Sequence, residues 1–239
     1  MTFQQTDHYI DQVFYGPGTF EIISQTEFVG IAIRTQVDAA NPEDVKYVNS
    51  LQDQIVVALP QGVAAKDYKP VDWNMTSLEA LRAKYQEEAK KLPNLNGTSG
   101  AHGTLDPQMQ RLGVSVALGL LPPEHAMYIY RDYKLKGGEC YSATYKKPGF
   151  REKGFFSITM YGEDKYIHDE HSTLNNRVLK YNPDDTFTVY YGPESACGKV
   201  ENRLNTPGDN WYWGMRIYRP VESVLKGEYD FPAPAPVKH

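Results

Sequence analysis

The clearest pattern in the chain runs from Gly154 to Gly192, where short runs rich in Phe, Tyr, Ile, Thr and Val alternate with turn residues. Successive strand side chains point to opposite faces, so Phe156, Ile158 and Met160 share one face of a strand, and Phe155, Ser157, Thr159 and Tyr161 share the other. Tyr181-Asn182-Pro183-Asp184-Asp185 then supplies a turn, with Pro183 pre-set for the first central position and Asx side chains able to bond nearby amides. Thr186 to Tyr191 is read as the return strand of a hairpin. The runs AMYIYRDY, GECYSATY and NWYWGMRIYRP are further strands, so from Ala126 onward the chain reads as a double-layer antiparallel domain. Val221 to Lys226 is a turn or two of helix stopped by Gly227, and FPAPAPV is a polyproline tail on the surface.

Upstream the period changes. Phe28 to Val37 is apolar and β-branched enough for a strand or a buried helix turn, and composition does not separate the two. Asn41-Pro42-Glu43-Asp44 starts a helix, with Asn41 as cap, Pro42 at the first helical position and acids at the positive end of the dipole. Val45, Val48 and Leu51 extend it to about Gln54, ahead of the apolar run 55–59. Thr76-Ser77-Leu78-Glu79 matches a capping box, and Leu78, Leu81, Tyr85 and Leu92 form the apolar stripe of a second helix. The run LPNLNGTSGAHGT is a connector loop. Asp106-Pro107 opens a third helix, with Met109, Leu112, Val116 and Leu120 on one face and Pro122-Pro123 at its end. Residues 1–27, with a turn at Tyr15-Gly16-Pro17-Gly18, read as an arm, 28–121 as a mostly helical connector subdomain and 122–239 as a β-sandwich.

A chain of 239 residues buries roughly 70 per cent of its unfolded surface and needs no metal or disulfide to fold. Its 25 Lys and Arg against 30 Asp and Glu give a net charge of -5, and KKPGFREK at 146–153 is a basic loop rather than an extended cationic surface, which argues against a nucleic-acid partner. No run reaches the roughly 18 apolar residues of a membrane span, and the polar start lacks a signal-peptide core. As sequenced the chain is expected in the cytoplasm, or in the periplasm or medium if a signal peptide has been removed. Cys140 and Cys197 can bridge two strands, but a pair of buried thiols is the reading that suits a reducing compartment. Asn74-Met75-Thr76 and Asn96-Gly97-Thr98 match the glycosylation sequon, a triplet common by chance.

Two groups of residues carry candidate chemistry. His168-Asp169-Glu170-His171 offers two imidazoles and two carboxylates, all competent ligands for zinc or another first-row metal. In a strand His168 and Glu170 would lie on one face and Asp169 and His171 on the other, so only a turn brings both histidines to one ion. No HExxH, CxxC or GxSxG motif accompanies them. The second group is aromatic: the chain has 18 tyrosines, and Trp211, Tyr212 and Trp213 stand close to Arg216, Tyr218 and Arg219. Rings beside a few polar donors hold apolar or sugar ligands, and an arginine can fix a carboxylate or hydroxyl. Tyr161, Asn175, Tyr191, Trp213 and Arg216 are the candidate ligand-binding residues, with core packing as the rival role. Trp211, Trp213, Met215 and Ile217 cannot share a face with Arg216, so one set is core and the other faces a cleft or solvent.

The ordered series GFFSITMYG, LKYNPDDTFTVYYG and NRLNTPGDNWYWGMRIYRPVESVLKGEYDFPAPAPV resembles the C-terminal domain of a bacterial two-domain family known only as domains of unknown function 1254 and 1214, over about Leu105 to Val237. RTQVDAANPEDVKYVNSLQDQI and VDWNMTSLEALR resemble the helical connector ahead of that domain. The resemblance implies a mainly β fold, a jelly-roll-like antiparallel β-sandwich preceded by α-helices. Members usually carry an additional N-terminal β-domain where this chain has about 27 residues, and an apolar, Asn-rich loop where it has HDEH. The family supplies no settled activity and no cofactor, and fold alone does not decide function. The leading expectation is a ligand-binding or accessory module for a small organic or sugar-like molecule. The alternatives are a metal-assisted or hydrolytic enzyme using Asp169 or Glu170 as general base, and a homo-oligomeric assembly protein, or one completed by a separate partner domain.

Overall fold

Alternation along the strands becomes two four-stranded sheets. In the first, β1 (Ala126–Asp132), β7 (Tyr212–Pro220), β3 (Phe150–Tyr161) and β4 (Thr173–Asn175) lie in the order β1-β7-β3-β4. In the second, β6 (Arg203–Leu204), β5 (Thr186–Tyr191), β2 (Tyr141–Lys146) and β8 (Ala235–Pro236) lie in the order β6-β5-β2-β8. All pairings are antiparallel except β5 with β6. This computed structural model describes residues 13–14, 16–23, 28–38, 40–92, 94–117 and 119–238, with only the backbone at Asp132. They form two compact units, one of 16–74 and one of 13–14 with the residues from 75 on. No helix among the described residues is long and apolar enough to cross a membrane.

The two sheets meet through aromatic rings. Phe156, Ile158, Met160, Trp213, Met215 and Ile217 from the first sheet, and Tyr145, Phe187, Val189 and Tyr191 from the second, are all 0–1% exposed and belong to one core. Phe156 stacks on Phe187 at 5.3 Å, while Trp213 contacts Tyr145 at 5.9 Å and Tyr191 at 6.3 Å between ring centroids. The inward set on β3 is the one that alternation predicts. The predicted hairpin is not formed, however. The turn is present, with the Asn182 N–H donating to Thr186 O at 2.8 Å, but β3 and β5 lie in different sheets, and β5 pairs with β2 and β6. The reason is burial: two strands with apolar faces cover each other by facing across a core, which a shared sheet does not allow.

The proline-rich tail is also more than a surface coil. Ala235 and Pro236 pair with Ser142 and Tyr141 as a short edge strand, and Phe231 packs against the core. Proline is tolerated there because an edge strand can spare an N–H.

Helix starts follow their caps. Asn41 Oδ1 accepts from the N–H groups of Glu43 and Asp44 at the head of α1 (Pro42–Gln52), and Asp106 Oδ1 accepts from Gln108 and Met109 at the head of α3 (Pro107–Val116). The expected capping box does not act as one: α2 (Met75–Ala89) begins a residue before Thr76, so both Thr76 and Glu79 are inside the helix, where Glu79 lies 3.6 Å from Arg82. Gln86 Nε2 and Arg82 Nε donate to the Ser115 carbonyl at 2.8 and 3.2 Å, which ties α2 to α3. Helix α3 stops at Val116, well short of Pro122. In the other unit, 28–37 and 55–59 form neither strand nor helix, and Val29, Ile33, Val56 and Val57 are more than half exposed.

Cys140 and Cys197 form a disulfide with a Cα separation of 5.0 Å, in place of the expected thiols. Pairing of Tyr141 with Tyr191 explains the approach, because Cys140 directly precedes β2 and Cys197 closes α4 (Glu194–Cys197) just after β5. Gly192 makes room: a Cβ there would come within 2.9 Å of the Cys197 sulfur and 2.5 Å of the Glu139 carbonyl.

Two outcomes follow for stability. The bond closes a segment with a sequence separation of 57, so Cys140→Ser/Cys197→Ser should unfold in urea with about 2–4 kcal/mol less stability, and identical curves with and without reductant would show that the bond is not made. In the core the Tyr145 and Tyr191 hydroxyls bond at 2.9 Å. Tyr145→Phe alone leaves a buried hydroxyl without its partner, an expected loss of about 1–3 kcal/mol, whereas Tyr145→Phe/Tyr191→Phe should recover much of it. Additive losses in that cycle would mean the two hydroxyls are not coupled.

Candidate ligand-binding face

The sheet β1-β7-β3-β4 has an outer face as well as the buried one. Register places Tyr128 opposite Arg216, Tyr130 opposite Gly214, Ser157 opposite both Arg216 and Asn175, and Tyr161 opposite Tyr212. Even-numbered positions on β7 and odd-numbered positions on β3 therefore make one surface. An outer sheet face ordinarily carries short polar side chains, as the second sheet does with Thr144 and Thr188, whose hydroxyls bond at 2.8 Å. This one instead carries rings: Phe155 stacks on Tyr218 at 4.2 Å, Tyr161 stacks on Tyr212 at 5.2 Å, and Tyr130 meets Tyr212 edge-on at 6.4 Å.

Arg216 stands at the centre of that surface. Its Nη2 donates to the Tyr161 hydroxyl at 2.5 Å and to the Tyr130 hydroxyl at 3.4 Å, and its guanidinium carbon lies 5.6 and 5.8 Å from the centroids of those two rings. Gly214 sets the arrangement, because a Cβ there would fall 2.6 Å from the Tyr130 ring. Without a side chain at 214 the ring lies across the strand and brings its hydroxyl to the guanidinium. Burial raises the Tyr130 pKa against the opposing pull of Arg216, and it pushes Tyr212 up to about 12. Burial also works against the Arg216 charge, but the adjacent Tyr130 and Tyr161 oxygens more than offset it and leave that pKa above its ordinary value.

Of the five residues singled out from sequence, Tyr161 and Arg216 are in direct contact, and Asn175 is on the same face with its Oδ1 engaged by the Arg177 N–H at 2.9 Å. Tyr191 and Trp213 point the other way, into the core, each 0% exposed. Tyr130, Tyr212 and Gly214 belong with Arg216 and lie outside those five. Tyr212 was within reach of sequence parity, since 212, 214 and 216 alternate with the tryptophans, whereas Tyr130 needed the β1 register.

The HDEH segment lies in a loop. His168 Nε2 is 2.8 Å from Asp164, and Asp169 accepts from Asn205 Nδ2 at 2.7 Å and from the His171 N–H at 2.5 Å. Burial pushes the Asp169 carboxyl up, and those two bonds outweigh it, so its pKa lies below the ordinary value. The His168 ring lowers that of Asp164. The two histidines thus have separate carboxylate neighbours and Glu170 stays exposed, and among the described residues no three His, Cys, Asp or Glu side chains gather to hold a metal ion. An open depression of about 410 Å³ beside Glu163, Asp164, His168 and Asp209 is strongly acidic and begins just past Tyr161, at the end of β3.

The fold is thus a mainly β, sandwich-like one with an aromatic outer face. Residues 130–222, which include every strand of that face except the first residues of β1, match the family described as Protein of unknown function (DUF1214). Among solved structures, the VPA0106 protein from Vibrio parahaemolyticus is similar at 22% identity and a TM-score of 0.54 over 86% of this chain and 47% of that one, so this chain spans about half its length. An uncharacterized protein from Burkholderia cenocepacia aligns at 15% identity and a TM-score of 0.33, over 71% of this chain and 42% of that one. No curated protein matches the chain.

The raised tyrosines set an alkaline limit. Tyr128, Tyr130 and Tyr212 stay neutral in the fold at pH values where the unfolded side chain, at 10.0, has begun to lose its proton. Above pH 10 the unfolded state binds fewer protons, so stability that is complete below that pH should fall as pH rises towards 12. Urea midpoints measured between about pH 9 and 11.5 check this, and Tyr212→Phe should flatten part of the decline.

Proposed function

We propose that the chain is a ligand-binding module whose outer sheet face takes a small ring-bearing organic or sugar-like molecule. The observation that carries this reading is the half-buried set of stacked rings, Tyr161 on Tyr212 and Phe155 on Tyr218, on the face of a sandwich where core packing does not call for aromatic residues. Flat rings bordered by hydroxyls and one cation give apolar contact to the body of a ligand and direct hydrogen bonds to its polar atoms. Ser157, one strand away from Arg216, and Asn175, two strands away, extend the polar border.

Saturation-transfer NMR with a panel of monosaccharides and substituted benzenes tests the reading. Binders are expected, and Tyr161→Ala and Tyr212→Ala should each weaken them by about 10-fold or more. Binders that are indifferent to both substitutions, or an absence of binders across the panel, would reject the face as the site.

A further inference from the structure

We infer that the molecule taken by this face is an organic acid, with its carboxylate on Arg216 and its ring on the Tyr161–Tyr212 pair; this rests on the proposed ligand-binding reading. Three features of Arg216 lead there. Its hydrogen-bond partners are the hydroxyls of Tyr130 and Tyr161, and both are reached by the same nitrogen, Nη2. The donors on Nε and Nη1 have no partner among the described residues, and each can give a charge-assisted hydrogen bond to a carboxylate oxygen. No Asp or Glu of the described residues pairs with it, although the side chain is half-buried. Only neutral hydroxyls face the charge, so an anionic ligand supplies the counter-ion that the protein does not.

The surroundings narrow the class further. Tyrosine hydroxyls donate as well as accept, and burial keeps Tyr130 and Tyr212 protonated, so the rim adds donors for a second anionic or hydroxyl oxygen. The stacked Tyr161–Tyr212 pair lies beside the guanidinium, Tyr161 being shared by both, so a molecule holding a ring next to its carboxylate meets both elements at once. A bare inorganic anion uses the cation alone and leaves the rings without a role. A neutral sugar uses the rings and leaves the charge without one. Benzoate-like acids and uronic acids satisfy both.

Isothermal titration on the unaltered chain with matched pairs provides the test: benzoate against benzamide, glucuronate against glucose, and inorganic phosphate alone. At least one acid should bind roughly 10- to 100-fold more tightly than its neutral partner and more tightly than phosphate, the range expected when a charged hydrogen-bonded pair is lost. Arg216→Gln should bring the acid down to the affinity of its neutral partner, and Arg216→Lys, which keeps the charge but not the planar set of donors, should fall between. The comparison of acids with neutral partners does not depend on how the variants fold. Equal binding of acid and neutral partner would overturn the inference and leave the ligand-binding reading standing. Phosphate binding as tightly as the acids would overturn the assignment of the ring to the tyrosines. If nothing in either pair binds, both the inference and the reading beneath it fail.

Discussion

Everything in the strand-rich unit depends on the ring packing between its sheets. Trp213 and Phe156 on one side, and Tyr145, Tyr191 and Phe187 on the other, exclude water so completely that none of the five is more than 0% exposed. Rings of that size bury far more area per residue than aliphatic side chains, and their edge-on and offset contacts add direction to the packing. The consequence is a fixed register. A one-residue slip in β7 would send Trp213 outward and Arg216 into the core, exchanging the best-packed side chain for an unpaired charge. The outer face therefore owes its geometry to the inner one.

That coupling explains what was legible in the sequence. Period-2 alternation puts Phe156, Ile158 and Met160 on one face, which the structure turns inward, and the same rule separates Trp213 from Arg216. Caps at Asn41 and Asp106 are local chemistry, and they start helices where they occur. Alternation says nothing about which strand lies beside which, so the β3–β5 hairpin was an error of partner rather than of pattern. The missed members of the face fail for the same reason: Tyr130 is brought to Arg216 by β1–β7 pairing and by the absence of a side chain at Gly214, and neither is written in the sequence near Tyr130. The cysteines depended on knowing that Tyr141 pairs with Tyr191.

Composition leaves geometry open in two places. HDEH looks like a ligand set because it concentrates donor atoms, but a turn distributes them to separate partners, Asp164 for one histidine and Asp169 for the other. The exposed apolar stretch at 28–37 reads as a strand or a buried helix turn by residue type, and it forms neither, since a strand exists only when another backbone is there to bond with.

The short β8 strand has an effect beyond closing the core. By lying along β2 it occupies the open side of the second sheet, and it does so with a segment in which prolines recur at 232, 234 and 236. Proline has no N–H, so the new rim offers few donors to any strand that approaches it. The tail thus ends the sheet on that side rather than extending it, and it leaves that edge poorly suited to pairing with a further strand.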